Sequence, residues 1–130
     1  MGIYVTNLFE RSLKKQNIPD TTLCKIAQEI VSGLFDADLG GNVYKKRIPL
    51  QRGKSGGSRS IVAFRLGENL FFIDGWIKSD VSKRGQKEIP DDDLETYRDI
   101  AHDFLSMSAQ TINKAIETGR LREVHCYEPS

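Results

Sequence analysis

Apolar residues recur at helical spacing in three parts of the chain. Between residues 20 and 34 they fall three and four positions apart, which predicts a helix with one buried face. A second stripe covers residues 94–105 and follows Pro90 and three aspartates. That start is typical of a helix, because carboxylates in the first turn complement the helix dipole. A shorter stripe over residues 112–116 predicts another helix.

The pattern changes to alternation in the middle of the chain. Residues 43–50 alternate loosely between apolar and basic side chains. Residues 60–66 and 70–78 predict two strands, and the turn residues Gly67-Glu68-Asn69 between them predict an antiparallel hairpin. The second strand is apolar on both faces apart from Asp74, which indicates a central strand that is covered on both sides.

The order of these elements predicts a single domain of the α+β class. Helices, a run of antiparallel strands and then helices give a small antiparallel sheet that is packed against N-terminal and C-terminal helices. Residues 3–5 and 121–127 predict short additional strands. A chain of 130 residues is near the commonest size of one domain, so we expect the domain to span residues 1–130.

Cysteine content and hydropathy indicate a reducing compartment. Cys24 and Cys126 lie far apart in the sequence and do not make a disulfide framework, so we expect free thiols. No apolar run has the length of a membrane helix, and no basic-then-apolar signal region opens the chain. We therefore expect a cytoplasmic protein without a membrane partner.

The charges are distributed unevenly, although 19 Lys and Arg against 18 Asp and Glu leave a net charge of only +1. Residues 44–87 carry 11 basic and 3 acidic side chains, whereas residues 88–130 carry 4 basic and 10 acidic ones. This asymmetry favours a polyanion-binding face in the middle of the chain, because a phosphate backbone is held by many cations on one surface. The candidate RNA-binding residues are Lys45, Lys46, Arg47, Arg52, Arg65, Trp76, Lys83 and Arg84.

A glycine-rich loop and two cations at the open end of the hairpin form the candidate catalytic site. Residues 53–57 differ from a nucleotide-binding phosphate loop, because position 48 is Ile and a strand follows instead of a helix. The loop glycines still let backbone amides approach an anion beside Lys54, and the alternative is a flexible hairpin loop. Arg59 and Lys78 share a face in only one of two registers that differ by one residue.

Convergence of Lys54, Arg59 and Lys78 on one phosphate would suit RNA cleavage. The 2′-hydroxyl loses a proton, the phosphate gains charge and the 5′-oxygen leaves, so cationic donors stabilise the transition state. A Lys whose pKa is depressed by other cations can act as base or acid. Trp76 is a candidate for stacking on a base, and its alternative is a place in the core. The His125-Cys126 pair lacks further ligands at metal spacing, so we expect no metal site.

Several of these segments together resemble the HigB-like branch of the RelE/ParE toxin superfamily. The resemblance implies a compact α+β fold and ribosome-dependent cleavage of messenger RNA without a metal or cofactor. It also implies a neutralising antitoxin, usually a helix-turn-helix protein, and contact with operator DNA only through the antitoxin complex. By motif position, Arg59 resembles the superfamily's phosphate-binding arginine. The matching residues are Lys46-Arg47-Ile48, Gly53-Lys54-Ser55-Gly56-Gly57, Arg59, Phe71-Phe72, Gly75 and Lys78.

One departure from that family pattern leaves the proton-transfer groups open. Many relatives carry a Tyr or His after the last strand, whereas this chain continues Ser79-Asp80-Val81-Ser82. His125 and Tyr127 in the tail are the available substitutes. Three functions remain as alternatives: a ribosome-dependent endoribonuclease that inhibits translation, a non-catalytic inhibitor of DNA gyrase, and a plain nucleic-acid-binding domain.

Overall fold

The computed structural model describes residues 1–50, 57–79 and 89–126. Within these ranges, the helices and strands alternate much as the hydrophobic pattern predicts. The elements, in chain order, are β1 (Ile3–Thr6), α1 (Asn7–Ser12), a 3-10 turn (Lys14–Gln16), α2 (Asp20–Val31), β2 (Ala37–Asp38), β3 (Val43–Ile48), β4 (Ser58–Phe64), β5 (Leu70–Ile77), α3 (Asp91–Leu105), α4 (Ala109–Glu117) and β6 (Leu121–Glu123).

The strands form one sheet in the order β2-β3-β4-β5-β1-β6. The predicted α+β class and the β4–β5 hairpin are confirmed. The sheet is mixed rather than wholly antiparallel, because β1 runs parallel to β5 while the other neighbours are antiparallel. A parallel pair needs a long crossover connection, and here α2 and β2–β4 supply it.

Helices cover both faces of the sheet and give the molecule two apolar layers. On one face, Phe9 of α1 and Leu23 of α2 join Phe72 of β5 in a buried cluster. On the other face, Ala101 of α3 packs in a second cluster with Phe71 of β5. The central position predicted for β5 is therefore confirmed, since consecutive side chains along it are buried on opposite faces.

A disulfide bond joins Cys24 to Cys126, with their Cα atoms 5.8 Å apart, so the expectation of free thiols is wrong. The reason lies in the sheet order. Because β6 pairs with β1, the end of the chain returns to the N-terminal helices. The amide of His125 then donates to Asp20 Oδ2 at the start of α2, 3.3 Å away. None of the helices in the described ranges is both long and apolar enough to cross a membrane.

Candidate functional site

Three candidate residues form a row across the neighbouring strands β3, β4 and β5, near one end of the sheet. Arg47 of β3 pairs with Arg59 of β4, and Arg59 pairs with Trp76 of β5. Residues that pair directly across neighbouring strands project from the same face of a sheet. Ile61 and Ala63 lie two and four positions after Arg59 in β4, so they project from the same face. Both belong to the cluster that packs against α3, so α3 covers this face farther along the strands.

A bulge in the hairpin decides which side chains share the face of Arg59. From the turn to Val62, each residue of β4 pairs with the residue of β5 at the same distance from the centre of the turn, so that Val62 lies opposite Phe72. The register then shifts by one residue, so that Ile61 lies opposite Asp74. Without this shift Arg59 would lie opposite Gly75, and Trp76 would project from the other face. Bulges characteristically redirect side chains in this way.

Lys78 lies next to this row, immediately after β5 ends at Ile77. Its amide donates to the carbonyl of Gly57 at 3.1 Å, one position beyond the Ser58–Ile77 pair. Gly57 has a φ of +66°, and a Cβ there would lie 3.0 Å from the carbonyl oxygen of Ile48 and 3.4 Å from Arg47 Nε. The glycine therefore lets a guanidinium lie against the backbone. We call the region of Arg47, Gly57, Arg59 and Lys78 the cationic end of the sheet.

The side chain of Arg59 extends across β3 toward the edge of the sheet. Its Nε lies 3.7 Å from Asp36 Oδ2, and its Nη1 donates to the carbonyl of Ser58 at 3.2 Å. The side chain is only 17% exposed. Asp36 itself is fixed just before β2, where its amide donates to the carbonyl of Lys45 at 2.8 Å. The guanidinium is thus held between a carboxylate and a backbone oxygen.

The other candidate residues divide into four groups. Lys45 lies opposite Ile61, in the next row along the strands, and projects from the same face as Arg59. Lys46 lies on the opposite face, with its Nζ 3.4 Å from Glu29 of α2. Arg65 follows the far end of β4, where it pairs with Glu68 at 3.5 Å. Lys54, Arg52, Lys83 and Arg84 lie outside the described residues, as does Tyr127.

Asp74 anchors a polar network beside the cationic end, and the candidate residues did not include it. Its Oδ2 accepts a 2.5 Å hydrogen bond from the hydroxyl of Tyr97 on α3. Its Oδ1 accepts from the Ser12 hydroxyl at 3.0 Å and from the Gly75 amide at 2.8 Å. The sequence does carry a signal, since Asp74 is the one charged residue in an otherwise apolar strand. No comparable signal marks Asp36.

The environment of Tyr97 keeps its hydroxyl protonated. Burial raises its pKa well above the ordinary value of 10.0, and the hydrogen bond to Asp74 raises it further. Tyr97 is therefore a hydrogen-bond donor at neutral pH and is unsuited to act as a general base.

Trp76 lies partly in the core, and stacking on a base stays a prediction. Its ring is partly buried and packs against the α3 cluster, which includes Ile89 and Tyr97. Its position opposite Arg59 also places it in the candidate row. Its Nε1 is the one buried side-chain donor within residues 1–50, 57–79 and 89–126 that has no hydrogen-bond partner.

Neither histidine belongs to the cationic end of the sheet. His102 is exposed on α3. His125 follows edge strand β6, which β5 and β1 separate from β4. Among the described residues, no group of three His, Cys, Asp or Glu side chains is arranged to hold a metal ion.

Comparison with known proteins identifies the family. Residues 1–124 match the family model described as the RelE toxin of the RelE/RelB toxin–antitoxin system. Neither the curated proteins nor the solved structures that were compared with the chain give a significant match. The family match covers nearly the whole chain and agrees with the α+β architecture. The chain therefore belongs to the RelE family and is a toxin of a toxin–antitoxin system.

Proposed function

We propose that this toxin is a metal-independent endoribonuclease that cleaves messenger RNA on the ribosome and so inhibits translation. The observation that carries the proposal is the register of the hairpin, which brings Arg59 and Lys78 to one end of the sheet. The assignment to the HigB-like branch rests on the motif that includes both residues. We further propose a helix-turn-helix antitoxin as the partner that neutralises the toxin.

In the proposed reaction, Arg59 binds the scissile phosphate and stabilises the charge that develops when the 2′-oxygen attacks. A guanidinium is suited to this role, since it stays charged and presents several donors in one plane. Its partial burial strengthens the interaction, because water screens it less than it screens an exposed cation. Lys78 contributes a second positive charge, and Lys54 is proposed as a third on its motif position alone.

The remaining candidate residues are proposed to contact RNA away from the scissile bond. Lys45 and Arg47 extend the positive surface on the face of Arg59. Trp76, which pairs with Arg59 across the hairpin and is partly buried against the α3 cluster, is proposed to contact a base. Arg52, Lys83 and Arg84 belong to the same basic segment of the sequence. Arg65 and Lys46, although candidates from the sequence, are not part of this proposed contact surface, because Arg65 lies at the far end of β4 and Lys46 faces α2.

Expression of the toxin in bacteria, followed by mapping of transcript 5′ ends, tests this proposal. The wild-type chain should stop growth and produce new 5′ ends within translated codons. Both effects should disappear with Arg59→Ala. The matched control is Arg65→Ala, which removes the same charge from the far end of the same hairpin and should leave the cuts in place.

The same experiment separates the alternatives. Growth arrest with intact messages and an induced DNA-damage response would favour gyrase inhibition and overturn the ribonuclease proposal. Growth arrest that needs the basic residues without cleavage or DNA damage would favour a plain nucleic-acid-binding domain. A chain that does not slow growth at all would contradict a toxic activity altogether.

A further inference from the structure

Asp36 has an unusual position for an acidic residue near a surface of cations. It precedes the short edge strand β2, two strands away from Arg59 in the sheet order. Its Oδ2 nevertheless lies 3.7 Å from Arg59 Nε, because the arginine side chain spans β3. A carboxylate at this place weakens the attraction of the surface for a polyanion, so simple RNA binding gives no reason for it.

The contact does, however, fix the direction of the guanidinium. Asp36 lies beside Nε, and the carbonyl of Ser58 accepts from Nη1 at 3.2 Å. Two anchors on different atoms of a planar group restrict its rotation. An arginine that is already oriented meets a phosphate without reorganising at the moment of reaction, which is where an electrostatic catalyst gains its effect.

We propose that Asp36 is a positioning residue for Arg59, and that it orients the guanidinium for the phosphate during RNA cleavage. This inference rests on the proposed function. Asp36 acts through Arg59 and does not itself touch the RNA. The carboxylate lowers the affinity for the polyanion, and in return it gives the arginine a defined orientation.

Asp36→Asn tests this role, because cleavage should slow while binding of the RNA does not weaken. Single-turnover cleavage of a messenger bound to ribosomes gives the maximal rate and the toxin concentration for half-saturation. We expect the maximal rate to fall on the order of tenfold. The half-saturating concentration should stay the same or decrease, since one negative charge is lost. Asp36→Glu should restore part of the rate.

Asp38→Asn is the matched control, since it removes the same charge two residues farther along the chain, in edge strand β2. Asp38 Oδ1 accepts from the Gly40 amide at 2.9 Å, and the asparagine keeps an oxygen for that bond. We expect Asp38→Asn to cleave at the wild-type rate. A rate in Asp36→Asn that equals the wild type, or that falls equally in both variants, would overturn the role of Asp36.

The Nε–Hε resonance of Arg59 in an NMR spectrum provides a readout that does not depend on cleavage. Asp36→Asn should shift this resonance and speed its exchange with water, whereas Asp38→Asn should leave it unchanged. An unchanged resonance in Asp36→Asn would contradict the contact itself. A wild-type chain that cleaves no RNA overturns the proposed function, while an active wild type with an equally active Asp36→Asn overturns the positioning role alone.

Discussion

At the scale of single residues, the Tyr97–Asp74 hydrogen bond is a sensitive test of how α3 is held on the sheet. Replacing Tyr97 with Phe removes the 2.5 Å bond and leaves the carboxylate with the Ser12 and Gly75 donors. We expect a loss of about 1–2 kcal/mol in the free energy of unfolding, because a hydrogen bond to a charged group is lost. Urea denaturation measures this loss. Tyr44→Phe is the control, since the structure gives the Tyr44 hydroxyl no hydrogen bond among the described residues, and it should cost less.

The same hydroxyl predicts how stability depends on alkaline pH. Burial raises the pKa of Tyr97 in the folded protein above its ordinary value of 10.0. Below that value the tyrosine is protonated in both folded and unfolded chains, so its contribution to stability is complete. Above it, the unfolded chain releases the proton first, and stability falls by about 1.4 kcal/mol per pH unit.

The difference in unfolding free energy between the wild type and Tyr97→Phe should therefore be constant up to about pH 10. It should become smaller at higher pH. Denaturation curves at a series of alkaline pH values measure it. A difference that stays constant well above pH 10 would contradict the raised pKa.

Alternation along single strands predicts some of the site and fails at one position. The opposite faces of Lys46 and Arg47 follow directly from the period of two, and the structure confirms them. The shared face of Arg59 and Trp76 does not follow from it, because the count from the turn places Gly75 opposite Arg59. The bulge beside Ile61 shifts the pairing by one residue and so places Trp76 opposite Arg59. Nothing in the local sequence specifies this bulge.

At the scale of elements, the packing of Leu13, the C-cap residue of α1, against β5 depends on Gly75. A Cβ at Gly75 would lie 2.6 Å from Leu13 Cδ1 and 3.0 Å from the Arg59 carbonyl oxygen. We expect Gly75→Ala to lower the free energy of unfolding by about 1–3 kcal/mol, because extra volume in a packed site forces neighbours to move. Chemical denaturation measures the effect.

A double-mutant cycle with Leu13→Ala identifies the cause of that loss. If the leucine side chain is the main obstacle, Gly75→Ala costs less in the Leu13→Ala background than in the wild type. Equal costs in both backgrounds would assign the strain to the Arg59 carbonyl. The sequence shows Gly75 only as part of a motif, since the approach of α1 is a contact between distant segments.

Element boundaries show where hydrophobic periodicity is reliable. The acidic start after Pro90 correctly predicts α3, which begins at Asp91. The stripe that ends at Leu34 extends too far, because α2 ends at Val31 and Leu34 is 59% exposed. Gly33 has a φ of +89°, a conformation that stops the helix before the last apolar residue of the stripe.

At the scale of the whole molecule, the Cys24–Cys126 disulfide joins positions 102 residues apart. Closing so long a loop restricts the unfolded chain, and we expect it to contribute about 2–4 kcal/mol to the free energy of unfolding. Urea denaturation of the oxidised protein, with and without a reducing agent, measures this contribution. Intact mass before and after reduction shows the bond directly as a gain of two hydrogens.

Cys126→Ser is the control for that experiment. Under reducing conditions it should unfold at the same urea concentration as the wild type, and under oxidising conditions it should unfold earlier. Identical midpoints under both conditions would show that the bond does not stabilise the fold. Sequence separation concealed this pairing, since only the placement of β6 beside β1 returns the tail to α2.

The overall charge pattern was accessible from the sequence, whereas the arrangement of strands was not. The basic segment predicts a polyanion-binding surface, and the sheet gathers Arg47 and Arg59 from it into one row. Arg65 belongs to the same segment but lies at the other end of β4. Charge counting cannot distinguish these positions, because it records the segment and not the direction of the strand.

The most direct test of the central claim is the rate at which the purified toxin cleaves one messenger RNA on translating ribosomes. The account predicts that Arg59→Ala reduces the single-turnover rate by at least about a hundredfold, as expected when one transition-state donor is removed. Arg65→Ala should retain a rate close to that of the wild type. Equal rates in Arg59→Ala and Arg65→Ala would contradict the assignment of the cationic end of the sheet as the site of cleavage.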